Sequence, residues 1–161
     1  MSYIREYFEA TRSLHKLSRP NQNHPIAEFM LTYGRDYKIG HDTYKGRRGA
    51  RKQCFMNAAK LALRNSKLTY VEGKVACYGV PIDHAWCVTD DGFVVDPTIR
   101  NGDDGHISDY FGVPFHVSYL AAAIRENNSY GLLDYFYARK TAPKLYELGL
   151  EKGQRWLMGV Q

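Results

Sequence analysis

Three residues in the middle of this 161-residue chain have types and an order suited to cysteine-based acyl chemistry. Cys54 is followed 30 positions later by His84, and Asp96 comes 12 positions after that. A thiol and an imidazole in contact form an ion pair that attacks carbonyl carbon. A carboxylate on the same ring would orient it, if the fold brings the two within reach.

Cys54 stands at the start of a predicted helix over residues 53–65, where free N–H groups and the helix dipole favour an anion. Five cations directly precede it in the segment KGRRGARK: Lys45, Arg47, Arg48, Arg51 and Lys52. Both effects favour the thiolate, so Cys54 is a candidate nucleophile. Taken on its own, the residue is more typical of a small packing side chain in an alanine-rich helix.

Strand-like segments after the helix carry the other two residues. Residues 68–77, 84–89 and 93–96 alternate or run apolar, and Asp91-Gly92 is typical of a two-residue hairpin turn. These segments predict an antiparallel meander. In a two-residue hairpin, however, Cys87 would oppose Asp96 and leave His84 three pair positions away, so the pairing register does not by itself bring the two side chains together. A bulge or a longer turn would bring them closer.

The remaining segments complete an α+β pattern. Apolar spacing predicts helices over residues 2–17 and from Pro25 to Gly34, whereas residues 34–52 are polar and aperiodic, as in a functional loop. We expect a fourth strand over residues 114–117, a helix over 119–126 capped by Ser118, and helical segments at 132–137 and 143–150. The length predicts one domain over residues 1–161.

Composition narrows the function classes. With 44% hydrophobic residues the chain can form a core, which excludes general disorder, and its longest apolar stretches are too short to span a membrane. The formal net charge of +5 equals the five cations of residues 45–52, and basic and acidic residues balance at 17 each elsewhere. A nucleic-acid-coating surface is therefore not expected. Three cysteines and no signal-like N-terminus predict free thiols and a cytoplasmic location.

Four short motifs stand in a distinctive order: Cys54-Phe55-Met56-Asn57-Ala58, Tyr70-Val71-Glu72-Gly73, His84-Ala85-Trp86 and Asp96-Pro97-Thr98. This order resembles the transglutaminase-like branch of the papain-like cysteine enzymes. The resemblance covers roughly residues 53–98, within a core of about 50–118 that has helical additions at both ends. It implies a cysteine-bearing central helix packed on an antiparallel sheet. It also implies Cys54 as nucleophile, His84 as general base and acid, and Asp96 as the residue that orients His84.

The chain departs from larger family members at the start of the helix, where Lys52-Gln53-Cys54-Phe55 replaces the frequent Gly-x-Cys-Trp pattern. The backbone N–H of Cys54 and the side chain of Gln53 are the candidate oxyanion donors. Trp86 is either a core aromatic or a wall of the cleft. Protein cross-linking is not implied, because the family also contains hydrolases, deamidases, acyltransferases and members that only bind.

These observations predict a hydrolase or acyltransferase that acts on an amide or acyl bond through a thioester. The substrate would be a protein, a peptide or a small amide, with an anionic group facing Arg47, Arg48 and Arg51. No cofactor, metal or membrane is expected. The alternative is an inactive binding module whose residues 45–52 hold an acidic protein or nucleic acid.

Other chemistry-bearing residues have weaker patterns. A zinc site from Cys77, His84 and Cys87 lacks paired CxxC spacing, and His84 and Cys87 point to opposite faces of an extended strand. Glu72 is either exposed or a buried, hydrogen-bonded structural acid. His41 could reach a cleft from its loop, and residues 103–105 are expected to form a solvated turn.

Overall fold

The computed structural model describes residues 2–40, 44–100, 107–133, 140 and 142–147. Within these ranges the chain is a mixed α/β protein with five helices and one five-stranded antiparallel sheet. The mixed class and the antiparallel sheet agree with the prediction, which had four strands. The helices are α1 (Tyr3–Ser18), α2 (Pro25–Tyr33), α3 (Cys54–Arg64), α4 (Val117–Asn127) and α5 (Ala142–Glu147). The strands are β1 (Arg35–Asp36), β2 (Thr69–Cys77), β3 (Val80–Val88), β4 (Val94–Val95) and β5 (Ile107–Phe115).

The strand order is β1-β5-β2-β3-β4, so β2 lies at the centre of the sheet. The predicted meander of β2, β3 and β4 is present. The predicted fourth strand, residues 114–117, is observed as β5, which begins seven residues earlier and ends at Phe115, since Val117 already belongs to α4. It pairs with β2 on the side away from β3. A two-residue strand, β1, lies inside the segment that we predicted to be a loop, and it pairs with β5.

The two faces of the sheet belong to different clusters because side chains alternate along each strand. One face packs against the helices, with the thiol of Cys87 donating to the carbonyl oxygen of Ala58 in α3 at 3.3 Å. The other face carries a smaller cluster of aromatic and valine side chains. Its buried members are Tyr37, Val71, Val75, Trp86, Val88, Val94 and Tyr110.

Helix boundaries follow the sequence signals closely, with one correction. α2 begins at Pro25, whose missing N–H costs nothing in the first turn, and ends before Gly34. α4 begins at Val117, so its N-cap is His116 and not the predicted Ser118. His116 has extended backbone geometry, and its side chain accepts the backbone N–H of Ser118 at 3.3 Å. A cap must lie outside the first helical turn, and Ser118 lies inside it.

Several predictions fall on residues outside the described ranges: the role of His41, the turn at 103–105, residues 134–137 of the helical segment predicted at 132–137, and residues 148–150 of the one predicted at 143–150. Leu132 and Leu133, the two described residues of the first segment, are not helical, so the prediction was wrong there. α5 covers Ala142–Glu147 of the predicted second C-terminal segment. Across the part of the chain that the structure describes, no helix combines the length and apolarity needed to cross a bilayer.

Candidate active site

The turn between β3 and β4 has three residues, 90–92, where the sequence indicated two. Thr89 donates its N–H to the carbonyl oxygen of Phe93 at 3.0 Å, and Val88 pairs with Val94. Gly92 closes the turn with φ of +80°, a left-handed geometry that glycine adopts without steric penalty. The predicted register was therefore wrong by one residue. Because such a slip exchanges the two faces of a strand, the observed register puts Asp96 on the face of His84.

His84 and Asp96 form a direct, buried contact. Nε2 of His84 lies 2.6 Å from Oδ2 of Asp96, and the two residues are 3% and 2% exposed. The other carboxylate oxygen, Oδ1, accepts the backbone N–H groups of Thr98 at 2.7 Å and Ile99 at 2.9 Å. The backbone turn that follows Asp96 therefore holds the carboxylate in place, independently of its contact with the imidazole.

Electrostatics favour the charged form of this pair. Burial by itself lowers the pKa of His84, but the charge and hydrogen bond of Asp96, with a smaller contribution from Cys54, raise it to about 9. Burial raises the pKa of Asp96, and the charge and hydrogen bond of His84, with the N–H groups of Ile99 and Thr98, lower it overall. The site thus holds an imidazolium against a carboxylate at neutral pH.

Cys54 is the first residue of α3 and is 9% exposed. Its side chain is close enough to His84 to contribute, after Asp96, to the raised pKa of the ring. Because Nε2 is engaged with Asp96, Nδ1 is the ring nitrogen left for the thiol. The chain enters the helix through Lys52, whose φ of +65° is uncommon outside glycine, and this sharp entry sets the direction of the first turn.

Trp86 stacks on the ring of His84, with centroids 6.1 Å apart and planes 15° from parallel. Tyr110 and Tyr37 meet the indole edge to face, at 5.1 Å and 5.7 Å. Trp86 is fully buried, so it forms a wall behind His84 and offers no exposed surface to a substrate. Its indole Nε1 has no hydrogen-bond partner among the described residues.

The cations predicted to face a substrate lie beside the first turn of α3. Lys45, Arg47 and Arg51 are exposed, and Arg48 is half-buried, with its guanidinium 5.5 Å from the centroid of the Tyr44 ring. Among the described residues, no carboxylate lies within ion-pair distance of Arg47 or Arg51. The loop therefore presents positive charge to solvent close to Cys54.

A three-way junction fixes this basic loop, residues 45–52, to the site. The N–H of Gly49 donates to the carbonyl oxygen of Pro97 at 2.9 Å. Nδ2 of Asn57, in α3, donates to the carbonyl oxygen of Ala50 at 2.9 Å and to Oγ1 of Thr98 at 3.0 Å. A Cβ at position 49 would overlap the amide group of Asn57, so a larger residue there would displace that side chain from its hydrogen bonds. The loop, the helix and the turn after Asp96 are thus held together.

Gln53, the candidate second oxyanion donor, is exposed and makes no side-chain hydrogen bond to the helix. Glu72 is the buried structural acid of the two predicted possibilities, at 2% exposed. It accepts from the hydroxyl of Tyr70 at 2.9 Å and from the N–H groups of Leu132 and Leu133 at 2.8 Å each. Glu72 therefore ties the 130–133 segment to the centre of the sheet.

Cys77 and Cys87 do not join His84. Cys87 lies on the helix side of the sheet, where burial, followed by the charge of Asp96, raises the pKa of its thiol to about 12. Across the described ranges, no group of three or more His, Cys, Asp or Glu side chains is arranged to hold a metal ion.

A cavity of about 720 Å³ lies beside the far end of α3, among residues such as Leu63, Phe115 and Val117. None of the candidate site residues lines this cavity.

The sequence did not predict the roles of two residues that support the site, Asn57 and Tyr110. Asn57 was visible as a polar side chain on an otherwise alanine-rich helix face, which is a signal for a buried hydrogen bond. Tyr110 donates its hydroxyl to Oδ2 of Asp96 at 3.0 Å. No local pattern marks it, because it belongs to a strand that reaches the site only through the sheet.

Fold and site together define a mixed α/β protein with a buried His–Asp pair and, at a helix N-terminus, a cysteine that influences the pKa of the same imidazole. Comparison of the chain with models of protein families, with curated proteins and with solved structures gave no match. Any function assigned to the protein therefore rests on the geometry of this site and on the four sequence motifs.

Proposed function

We propose that this protein is a cysteine-dependent hydrolase with a small transglutaminase-like, papain-like core. Cys54 is the nucleophile, His84 the general base and acid, and Asp96 the carboxylate that orients the ring. The observation that carries this proposal is the buried 2.6 Å contact between His84 and Asp96, at a ring whose pKa the Cys54 side chain also helps to raise. Buried titratable groups with perturbed pKa values that meet at one place are typical of active sites.

The reaction proceeds in two halves. The Cys54 sulfur attacks the acyl carbon of an amide, and the tetrahedral intermediate collapses as the His84 imidazolium protonates the departing amine. This leaves a thioester on Cys54 and a neutral imidazole. Water then gives one proton to His84 and adds to the thioester, which releases a carboxylic acid and returns Cys54 and His84 to their starting state. An amine in place of water would give acyl transfer.

The first turn of α3 supports charge on the acyl oxygen. The backbone N–H of Cys54 is one of the helix N-terminal donors that no intrahelical carbonyl satisfies. The exposed amide of Gln53, which makes no capping bond, is the proposed second donor. These donors and the positive end of the helix dipole favour a developing oxyanion.

The basic loop favours an acyl substrate with a nearby anionic group, such as an acidic peptide or a small acidic amide. Arg47, Arg48 and Arg51 lie in the basic loop next to Cys54, and this loop is held against the turn after Asp96. Neutralising the three to Gln raises KM and removes most of its dependence on ionic strength. The control is Arg64→Gln, an exposed cation at the other end of α3. An unchanged KM in the triple variant contradicts the anionic substrate.

The direct test of the proposed function is the alkylation of Cys54 by iodoacetamide, together with turnover on a panel of acidic peptides and small amides. We expect fast labelling of the Cys54 peptide by mass spectrometry and loss of all turnover in Cys54→Ala. Cys77→Ala, which removes a half-exposed thiol away from His84, keeps both. Turnover that persists in Cys54→Ala excludes Cys54 as the nucleophile.

The exposed basic loop also supports a second candidate, a module that binds an acidic protein or a nucleic acid without catalysis. In that case acidic polymers bind with strong salt dependence, and Cys54→Ala binds as tightly as the wild type. Thiol reactivity separates the two candidates, since pure binding needs no nucleophile.

A further inference from the structure

Tyr110 shares a carboxylate oxygen with the proposed general base. Its hydroxyl donates to Oδ2 of Asp96 at 3.0 Å, and Nε2 of His84 lies 2.6 Å from the same atom. Tyr110 is fully buried. The contact joins β5 to the segment after β4, two parts of the chain that do not pair in the sheet.

Two glycines on neighbouring strands leave part of this sheet face without side chains. Gly73 of β2 stands opposite both His84 in β3 and Gly112 in β5, so no side chain rises between them. The ring of Trp86 uses this space, since a Cβ on Gly112 would lie 2.7 Å from the indole. A Cβ on Gly73 would instead clash with the backbone carbonyl oxygen of Phe111. Gly112 therefore leaves room for the indole against which the Tyr110 ring packs, and Gly73 allows the close approach of β2 and β5.

Each carboxylate oxygen of Asp96 already has two hydrogen-bond partners. Oδ1 takes two backbone N–H groups, and Oδ2 takes the imidazole and the phenol. A carboxylate with four donors cannot turn without breaking charge-assisted hydrogen bonds. The phenol also stabilises part of the negative charge that would otherwise act on His84 alone.

We propose that Tyr110 is a positioning residue of the Cys54–His84–Asp96 site, whose hydroxyl holds the Asp96 carboxylate on the imidazole and moderates its pull on the imidazole proton. The role in catalysis rests on the function proposed above, but the contact itself has a readout that does not need turnover.

That readout is the titration of His84. The titratable groups that face its ring among the described residues are Asp96, Tyr110 and Cys54. Without the phenol donor, the Asp96 anion is stabilised more by imidazolium than by neutral imidazole, so the ring holds its proton to higher pH.

The experiment follows the His84 ring signals by NMR against pH in the full chain, assigned by their loss in His84→Gln. In Tyr110→Phe the midpoint moves upward by roughly 0.5 to 1 pH unit. The matched control is Tyr37→Phe, which removes a hydroxyl from the same aromatic cluster that bonds to Arg35. Its midpoint stays at the wild-type value.

A second variant guards against misfolding of Tyr110→Phe. Replacing Tyr110 with 3-fluorotyrosine keeps the hydroxyl but makes it a stronger donor, so the midpoint moves downward. An unchanged midpoint in both Tyr110 variants overturns the proposal, even if the protein proves to be a cysteine hydrolase. Opposite shifts in the two variants support it, even if no acyl substrate is ever turned over.

Discussion

Trp86 and Asp96 come to the same face of the sheet because the hairpin between them has one residue more than its Asp91-Gly92 signal indicates. The observed pairs, Val88 with Val94 and Cys87 with Val95, continue to Trp86 beside Asp96. A two-residue turn would have sent the carboxylate to the helix side, beside Cys87. The contact between His84 and Asp96 at 2.6 Å thus depends on the length of one turn.

Stability should fall with rising pH through the titration of His84. The pKa of His84 in the folded protein is about 9, against an ordinary value of 6.5. Because folding raises this pKa, the stabilisation is fully present below about pH 6.5 and is lost as pH rises through 9. We expect a decline in the free energy of unfolding on the order of 3 kcal/mol over this window, measured by urea denaturation.

His84→Gln should flatten this decline, whereas His116→Gln, at an exposed helix cap, should leave it unchanged. Equal slopes in the wild type and His84→Gln would show that the pair is not the source. On the acid side, the lowered pKa of Asp96 contributes stability that is present above its ordinary value of 3.8 and is lost as pH falls through the lowered value.

Asp96→Asn should reduce turnover by roughly 10²- to 10⁴-fold, because an amide neither stabilises imidazolium nor fixes the ring in one tautomer. The rate of Cys54 alkylation at neutral pH should fall as well. Asp83→Asn is the matched control: Asp83 precedes His84 in the chain, but its side chain is 67% exposed and pairs with Lys74. Comparable losses in the two variants would contradict a specific role for Asp96.

Glu72→Gln should destabilise the fold by about 1 to 3 kcal/mol, because an amide nitrogen would replace an oxygen among buried donors. Hydrogen exchange gives the sharper measurement, since the amides of Leu132 and Leu133 bond directly to this carboxylate. We expect both to exchange faster. Glu126→Gln, at an exposed position, should change neither; selective loss of protection elsewhere in the sheet would argue against Glu72 as the anchor.

Asn57→Ala should release the basic loop from the site, because it removes the side-chain bonds to Ala50 and Thr98. Limited trypsin digestion measures this, since the loop contains Arg47, Arg48 and Arg51 as cleavage sites. Cleavage there should become several-fold faster at unchanged global stability. Asn65→Ala, at the other end of α3, provides the control, and equal digestion of both variants would show that Asn57 does not hold the loop.

The sequence alone predicted much of the local structure. The apolar spacing after Gln53 placed α3 within a residue of its observed start, and Pro25 and Gly34 marked the bounds of α2. These signals are local, because helix ends depend on which nearby groups satisfy free N–H and carbonyl groups. The order of Cys54, His84 and Asp96 likewise predicts cysteine-based acyl chemistry without any structural information.

Tertiary structure alone decided whether those residues meet. The face of Asp96 depends on the turn length, the reach of Tyr110 depends on β5 pairing with β2, and the placement of the basic loop depends on Asn57. Strand register and cross-sheet contacts come from long-range pairing, which short sequence windows do not encode. The sequence therefore determined which groups are available for chemistry, and the sheet determined which of them touch.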